Sequence, residues 1–386
     1  MSIRKPTKRP GSPYQLVLVG GGHAHLFVLQ AILNKELVCH EVTLISPSRW
    51  QYYSGMLPGL IAGHYQKEQC RIDLRGLAQK AGIRFIEQTL VSLDVEQRSI
   101  VLDDDTEVGY EWLSLDTGSA TCLDWAREYQ GQLLSVKPLD RFAREWQGLK
   151  DRLKQNGGGQ VAVVGAGAAG VELALAASSA LADEGIAAKV SLVAGESGPL
   201  EGFSGGVRRR VLKELKRLNI QLLSSQAKAE GDQLRLSDGS TTRVDAVIAA
   251  SGACAPDWLA GAGLELAADG FIRVDARQQS VSHKNVFAVG DVCSRPGSPL
   301  MRSGVHSVRA GPVLAQNLAA SLSGKRLKRF RPRRWVLYLI SCGQKRAVGS
   351  WGPLSFKGRW VWRWKDRIDR RFIAEFSKTG DEDLGA

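Results

Sequence analysis

Two stretches of this 386-residue chain decide how the rest is read: Val161–Ala174, VAVVGAGAAGVELA, and Leu16–His25, LVLVGGGHAH. Each is an apolar run that enters a glycine turn and continues into a helix-forming stretch. In such a turn the first glycine permits a tight strand-to-helix reversal. The second lets the backbone approach a pyrophosphate, and the third lets helix and strand pack closely. The helix start then aims free N–H groups and a partial positive charge at the phosphates. Gly165, Gly167 and Gly170 meet this pattern in full. Gly20 and Gly22 meet its first two positions, with His25 standing where the third glycine belongs. A third apolar run, Asn285–Val292 (NVFAVGDV), ends on Gly290 and Asp291. The three together describe an α/β chain with two Rossmann-like dinucleotide-binding domains, holding two dinucleotides and letting them meet.

The strand after each turn normally carries the residue that grips the ribose. After the first turn that strand is Val42–Ile45, and Ser46 follows it in place of a carboxylate. A serine hydroxyl can bond a ribose, less strongly than a charged group. After the second turn the strand is Val190–Val193, leading into Ala194, Gly195 and Glu196. An acid at the strand end favours NAD and a base favours NADP. Ala194 signals neither and Glu196 comes two residues late, so the choice stays open with a lean toward NADH.

The domains then divide as follows. Residues 1–13 are a basic, Pro-rich disordered leader without an apolar signal core. Residues 14–120 and 254–324 form a discontinuous first domain, and 121–253 form a second inserted into it. Asp116-Thr117-Gly118 closes the first half, and Ser251-Gly252 echoes Thr117-Gly118, as related domains would. Strands are expected at Arg84–Ser92 and Ile220–Ser224, and a hairpin at Ser99–Leu102 with Val108–Leu115. Residues 136–155 read as a linker and helix, and helices are expected at Val207–Leu218 and Val305–Ser321. Residues 325–386 form a basic aromatic C-terminal segment.

Charge and cysteine usage narrow the class. From Lys325 to Ile373 sixteen Lys or Arg face only Asp366 and Asp369, which accounts for the whole net charge of +13. Half of the ten tryptophans lie there too: Trp335, Trp351, Trp360, Trp362 and Trp364. No apolar run reaches the roughly 20 residues of a membrane-spanning helix. The six cysteines (39, 70, 122, 254, 293 and 342) include no CxxC or CxxxxC spacing. That argues against a metal site, a disulfide framework and a redox-active cysteine pair, and leaves most of them as buried small hydrophobes.

The pattern resembles the two-dinucleotide flavoproteins of the pyridine nucleotide-disulfide oxidoreductase superfamily, in the branch of type II NADH dehydrogenases and sulfide:quinone oxidoreductases. GGGHAH, YSGMLPGLIAGHY, SLDTGS, GAGAAGVELA and WRWKDRIDRRF are similar to one subgroup, the NADH dehydrogenase-like domain fused in some proteins ahead of selenide,water dikinase. The resemblance spans about residues 14–376. It implies FAD on Gly20, Gly22 and Ser46, with the adenine against the strand near Val91 and Thr117-Gly118 beside the turn. Asp291, after Gly290, would bond the ribityl or pyrophosphate part. Gly304–His306 would open a helix toward the flavin, with His23, His25 and His306 weighed between flavin packing and structural roles. NAD(P)H would sit on Gly165, Gly167 and Gly170, with Glu172 near the nicotinamide as the catalytic candidate.

The acceptor is less legible. A quinone is implied by resemblance, while a sulfide oxidase would need a second cysteine beside the flavin that the turns do not supply. Trp360, Trp362 and Trp364 share a face if the segment is extended, and Ile368, Phe372 and Phe376 share one if it is helical. Such a face suits an anionic membrane surface through residues 325–376, the protein's own core, or a dimer mate. No nucleic-acid-reading motif accompanies the charge. Two functions stay open: an FAD-dependent NAD(P)H dehydrogenase, cytoplasmic or peripheral on the membrane, and a flavin-bound redox-sensing or interaction protein linked to selenium metabolism, with selenide,water dikinase as partner.

Overall fold

In a computed structural model, residues 15–295 and 302–381 are described; the expected leader lies outside them. The chain starts a parallel sheet with β1 (Gln15–Val19), β2 (Glu41–Ser46), β3 (Arg84–Glu87) and β4 (Trp112–Leu115). It then builds a second parallel sheet from β5 (Gln132–Ser135), β6 (Gly159–Val164), β7 (Ala188–Val193), β8 (Gln221–Leu223) and β9 (Ala246–Ala249). It returns to the first sheet with β10 (Val286–Ala288). The two orders are β10-β4-β1-β2-β3 and β5-β9-β6-β7-β8. Four strands of each follow the same order, with β6 in the place of β1 and β9 in the place of β4; the fifth, edge strand comes last in the first sheet (β10) and first in the second (β5).

The correspondence extends to the excursions. Between β3 and β4 the chain makes a three-stranded antiparallel sheet (Leu90–Asp94, Ser99–Leu102, Glu107–Gly109). Between β8 and β9 it makes another (Ala227–Glu230, Gln233–Leu236, Thr241–Arg243). The runs expected as single strands at Arg84–Ser92 and Val108–Leu115 therefore each split in two, because the chain changes sheets within them. β5, folded from the plain run QLLS, occupies sequence not expected to pair at all. Its place is set by the ladder to β9 rather than by its own residues.

The helices in chain order are α1 (His23–Leu33), α2 (Leu57–Ile61), α3 (Leu74–Lys80), α4 (Leu139–Gln155), α5 (Ala168–Asp183), α6 (Gly205–Arg217), α7 (Gly304–Leu322) and α8 (Arg359–Asp381). α1 and α5 follow the two glycine turns and are apolar nearly all round, since each is covered on several sides. The central strands β1, β6 and β9 are buried on both faces, as parallel strands under helices are.

Contrary to the expectation from their spacing, not all six cysteines are unpaired. Cys122 and Cys254, 132 residues apart, form a disulfide. Cys122 follows one strand and Cys254 ends the other of the two-stranded ribbon Ala120–Thr121 with Ala253–Cys254, by which the chain leaves the first sheet's unit and comes back. Spacing rules look for neighbouring cysteines, whereas these meet only because an inserted unit brings its two ends together. Cys39, Cys70, Cys293 and Cys342 carry no disulfide.

Through Asp381 the basic C-terminal segment is folded and straddles both units. Its antiparallel sheet (Leu337–Ser341, Ala347–Trp351, Leu354–Gly358) lies on α5 and α6, with Ile340, Cys342 and Val348 in the second unit's core. α8 then crosses to the first unit, where Phe372 and Phe376 join the core beside Phe27. Because Arg359–Asp381 is helical, Trp360, Trp362 and Trp364 do not share a face: Trp360 and Trp364 are exposed, while Trp362 packs beside His64 and Tyr65. Ile368 is likewise exposed, apart from Phe372 and Phe376.

One buried carboxylate ties the C-terminal sheet down. Glu214 of α6, 3% exposed in its side chain, meets Arg217 at 2.7 Å and Arg346 and Lys357 at 3.3 Å. Burial raises its pKa, but these cations outweigh it and hold the carboxyl below the usual glutamate range. Glu214→Ala leaves three cations without their shared partner and is expected to cost roughly 2–3 kcal/mol, less than a fully buried pair because the cations are partly hydrated. The loss appears as a lower thermal midpoint at neutral pH. The mutant–wild-type gap should shrink as pH falls through the folded-state pKa of Glu214, since a depressed carboxylate stabilises only while ionised.

Candidate functional site

Both glycine turns are built on the same close approach. Gly20 (φ +95°) and Gly165 (φ +105°) take a left-handed conformation that side chains avoid. A Cβ on Gly20 would overlap the Asp116 carbonyl just past β4, and one on Gly165 the Ala250 carbonyl just past β9. Gly118 and Gly252 then turn each chain away, also with positive φ.

The turns differ at the third position. A Cβ on Gly170 would strike the Gly165 carbonyl, so α5 presses directly on the turn. In the first turn His25, 1% exposed, meets the equivalent carbonyl with its ring: Nδ1 lies 2.7 Å from Gly20 O. A carbonyl only accepts, so Nδ1 carries the proton and Nε2 accepts from Ser114 Oγ at 2.8 Å. Burial lowers the His25 pKa to about 4 and keeps the ring neutral. His25 therefore braces the turn onto β4, with both nitrogens occupied inside the protein.

Asp116, which sequence reading passed over, is the other difference. It is 4% exposed, and its Oδ2 accepts from the backbone N–H of Ala24 at 2.8 Å and of His25 at 3.1 Å. A Cβ on Gly22 would overlap this carboxylate. Burial pushes the Asp116 pKa up to about 7, opposed by the two amides and aided by Asp291. Only the SLDTGS motif could have pointed to it, because the charged Asp116 stands where its echo Ala250-Ser251-Gly252 has an alanine.

The other candidates gather around these turns. Ser46 is buried at the end of β2 and donates to Ser48 O at 3.0 Å. Val91 lies on the antiparallel excursion with its side chain half exposed. Thr117 Oγ1, His23 Nε2 and Ser303 Oγ are buried without a partner among the described residues. Gly290 (φ +75°) packs against Asp116 and Ser307. Asp291 is held by Lys137 Nζ at 3.1 Å, which also donates to Ser119 Oγ at 2.6 Å. His306, in the first turn of α7, sits 3.1 Å from the Tyr338 hydroxyl. Unpaired polar atoms beside a glycine turn are what a polar ligand would satisfy, and the first site fits a dinucleotide on that ground.

The second turn fits one as well. Gly167 begins α5 at an ordinary φ of −64°, no side chain caps the helix, and a Cβ there would meet nothing within 4 Å. The fold itself would tolerate a larger residue at this point. Glu172, one turn into α5, does not stand free: its Oε1 accepts from Ser341 N at 2.7 Å. Burial raises its pKa to about 7, against the pull of Lys365. Lys365 is itself buried on α8, donating to Gly55 O at 2.5 Å and Asp369 Oδ2 at 2.7 Å. Glu196 is exposed three residues beyond the end of β7, where Arg208 is committed to the carbonyls of Ser197 and Pro199. A separate cavity of about 650 Å³ is lined by His64, Asp183, Gln344, Lys345, Arg359, Trp362 and Arg363 and includes neither turn.

Residues 14–316 match the model of the pyridine nucleotide-disulphide oxidoreductase family. The chain belongs to that family. It is an oxidoreductase whose cofactors are FAD and NAD(P)H, carried on the two-Rossmann fold that the duplicated sheets display. The oxidoreductase ptaL of Pestalotiopsis fici is 28% identical over 95% of this chain and 98% of its own length. The sulfide:quinone oxidoreductase of Aquifex aeolicus superposes with a TM-score of 0.79 at 19% identity, covering 95% of this chain and 92% of that one. NDH2 of Plasmodium falciparum, in complex with NADH, gives 0.77 at 15% identity, covering 96% and 98%. At these identities the two structures speak for the fold.

Gly167→Val tests whether the two turns are separate nucleotide sites. The variant should fold and keep its FAD, with stability within about 1 kcal/mol of the parent. NADH affinity should fall roughly tenfold or more, a loss of at least about 1.4 kcal/mol. Thermal melting, flavin content and NADH titration read the three quantities.

Proposed function

We propose that the chain is an NAD(P)H dehydrogenase that passes electrons through FAD to a quinone-type acceptor at a membrane surface. The observation that carries the reading is the pair of glycine turns on duplicated sheets, one with Gly167 open to a nucleotide and the other ringed by unpaired Thr117, His23 and Ser303 atoms. FAD, when bound, supplies a two-electron acceptor for hydride and a donor to the second substrate. The protein's part is orientation: the second turn would bind the NAD(P)H pyrophosphate at the start of α5, and the first would hold FAD with Gly20, Gly22, Ser46 and Asp291.

Reducing a quinone to a quinol with a hydride's two electrons consumes one further proton. Glu172, with a pKa near 7 and one oxygen left beside its bond to Ser341 N, is suited to hold it. The protonated form is the donor, so quinone turnover should fall as pH rises through about 7. Glu172→Gln should be slower and lose that fall, while NADH still reduces the flavin. Steady-state NADH oxidation with a soluble quinone checks both, and an unchanged pH profile in Glu172→Gln would remove the residue from the proton route.

The membrane part of the reading rests on the C-terminal surface. Trp335, Trp351, Leu354, Trp360, Trp364 and Ile368 are all exposed, and Phe356 stacks between Trp360 and Trp364. Trp351 and Leu354 face each other across neighbouring strands, so the apolar groups run on from hairpin to helix. Arg359, Arg363, Arg367 and Arg371, spaced every four residues, form a stripe along α8. Tryptophans beside such cations suit an anionic interface. Among the described residues no helix is long and apolar enough to cross a bilayer. Co-sedimentation with phosphatidylserine vesicles at low salt should be strong. It should drop with neutral vesicles, with high salt and in Trp360→Ala with Trp364→Ala; equal binding throughout would contradict the assignment. Selenide,water dikinase and a second copy of the chain, which the sequence resemblance and this surface suggest as partners, belong in the same sedimentation series.

A further inference from the structure

We propose that Asp116 takes up a proton when the FAD pyrophosphate binds at the first glycine turn, so that a carboxylic acid of the protein becomes a hydrogen-bond donor to the cofactor. The inference rests on the FAD assignment and on a comparison the molecule makes with itself. The two turns share the order of four strands and the close approach of the first glycine to a neighbouring carbonyl. At the second turn the residue making that approach is Ala250, and the start of α5 carries no side-chain cap. At the first turn it is Asp116, whose carboxylate already lies on the α1 amides of Ala24 and His25. Those amides belong to the helix end that a pyrophosphate uses. The first turn therefore holds a carboxylate of its own where a dianion must come.

Among the described residues no cation acts on Asp116 itself: Arg295 and Arg302 reach the cluster only through Cys293, and Arg302 is paired with Asp269 at 2.7 Å. The groups around Asp116 are Asp291 from the turn after β10, Ser307 of α7, Cys293 and His25 of α1, with His23 beside Asp291. Lys137, a further cation nearby, is bound to Asp291 and Ser119. His23 and His25 are held neutral by burial. Among the described residues Asp116 forms no ion pair. Two anionic groups sharing one site cannot both stay ionised, and the carboxylate is the one that can accept a proton. The step is a protonation from solvent: one O–H bond forms on Asp116. One oxygen keeps its amide bonds and the other donates to a phosphate oxygen.

The pH window follows. Burial already places the Asp116 pKa at about 7 without the cofactor, and the pyrophosphate raises it further. Below that pH Asp116 is protonated with and without FAD, and binding is independent of pH. Above it the FAD-free protein is ionised, so binding takes up a proton and affinity falls about tenfold per pH unit.

The experiment titrates FAD into the full-length protein stripped of its flavin, by calorimetry near pH 8 in buffers of different ionisation enthalpy. The wild type should take up close to one proton per FAD. Asp116→Asn, which can keep an amide bond to α1, should take up none and bind FAD with little pH dependence. FAD binding by the wild type without proton uptake would overturn the inference, because Asp116 would then have swung off the amides still charged. Equal uptake in Asp116→Asn would overturn it too, by placing the proton elsewhere. The wild-type result decides the matter alone if the variant does not fold. Failure of the wild type to bind FAD at any pH would instead sink the cofactor assignment.

Discussion

Each half of this molecule depends on one contact: a carbonyl at the end of one parallel strand pressed against the α-carbon of a glycine at the end of the next. Asp116 meets Gly20 in the first unit, and Ala250 meets Gly165 in the second. No side chain fits between them, and the positive φ that the approach demands is open to glycine and few others. Once it is made, the helix after the glycine must start at the sheet's edge with its amides aimed outward. The proposed nucleotide site is thus a consequence of how tightly two strand ends are packed, and repeating the turn repeats the site.

The two copies have diverged in what they place on that edge. Gly170 keeps α5 hard against its turn and leaves the helix start uncapped, which suits a nucleotide that arrives and departs. His25 and Asp116 fill the first turn with side chains instead, one bonded to the glycine carbonyl and the other to the helix amides. A resident cofactor can accommodate a more elaborate seat, because it enters once. Between the copies runs the ribbon closed by Cys122 and Cys254, and over them the C-terminal segment, anchored by Glu214 on one unit and by Lys365, Phe372 and Phe376 on the other.

What the sequence made legible was local. Glycine spacing dictates backbone geometry within a few residues, so both turns, the strands feeding them and the Gly290-Asp291 ending could be read directly. Contacts between distant residues could not. Asp116 and Ala24 are 92 apart, Cys122 and Cys254 132 apart, and Glu172 and Ser341 169 apart. Where Arg84–Ser92 and Val108–Leu115 each divide between two sheets is likewise decided by the neighbours, since both strands of each run are apolar enough to pair. The face argument for Trp360, Trp362 and Trp364 turned on helix against strand. That choice is made by Phe372, Phe376 and Lys365 further along, which need α8 to reach the first unit's core and Gly55.

The central claim is that the two turns hold their nucleotides close enough for electrons to pass from one to the other. Anaerobic titration of the FAD-loaded protein with NADH, followed at the flavin absorbance, tests it most directly. Stoichiometric bleaching of the flavin within seconds of mixing is the expected result. A flavin that stays oxidised while NADH is bound would contradict the account.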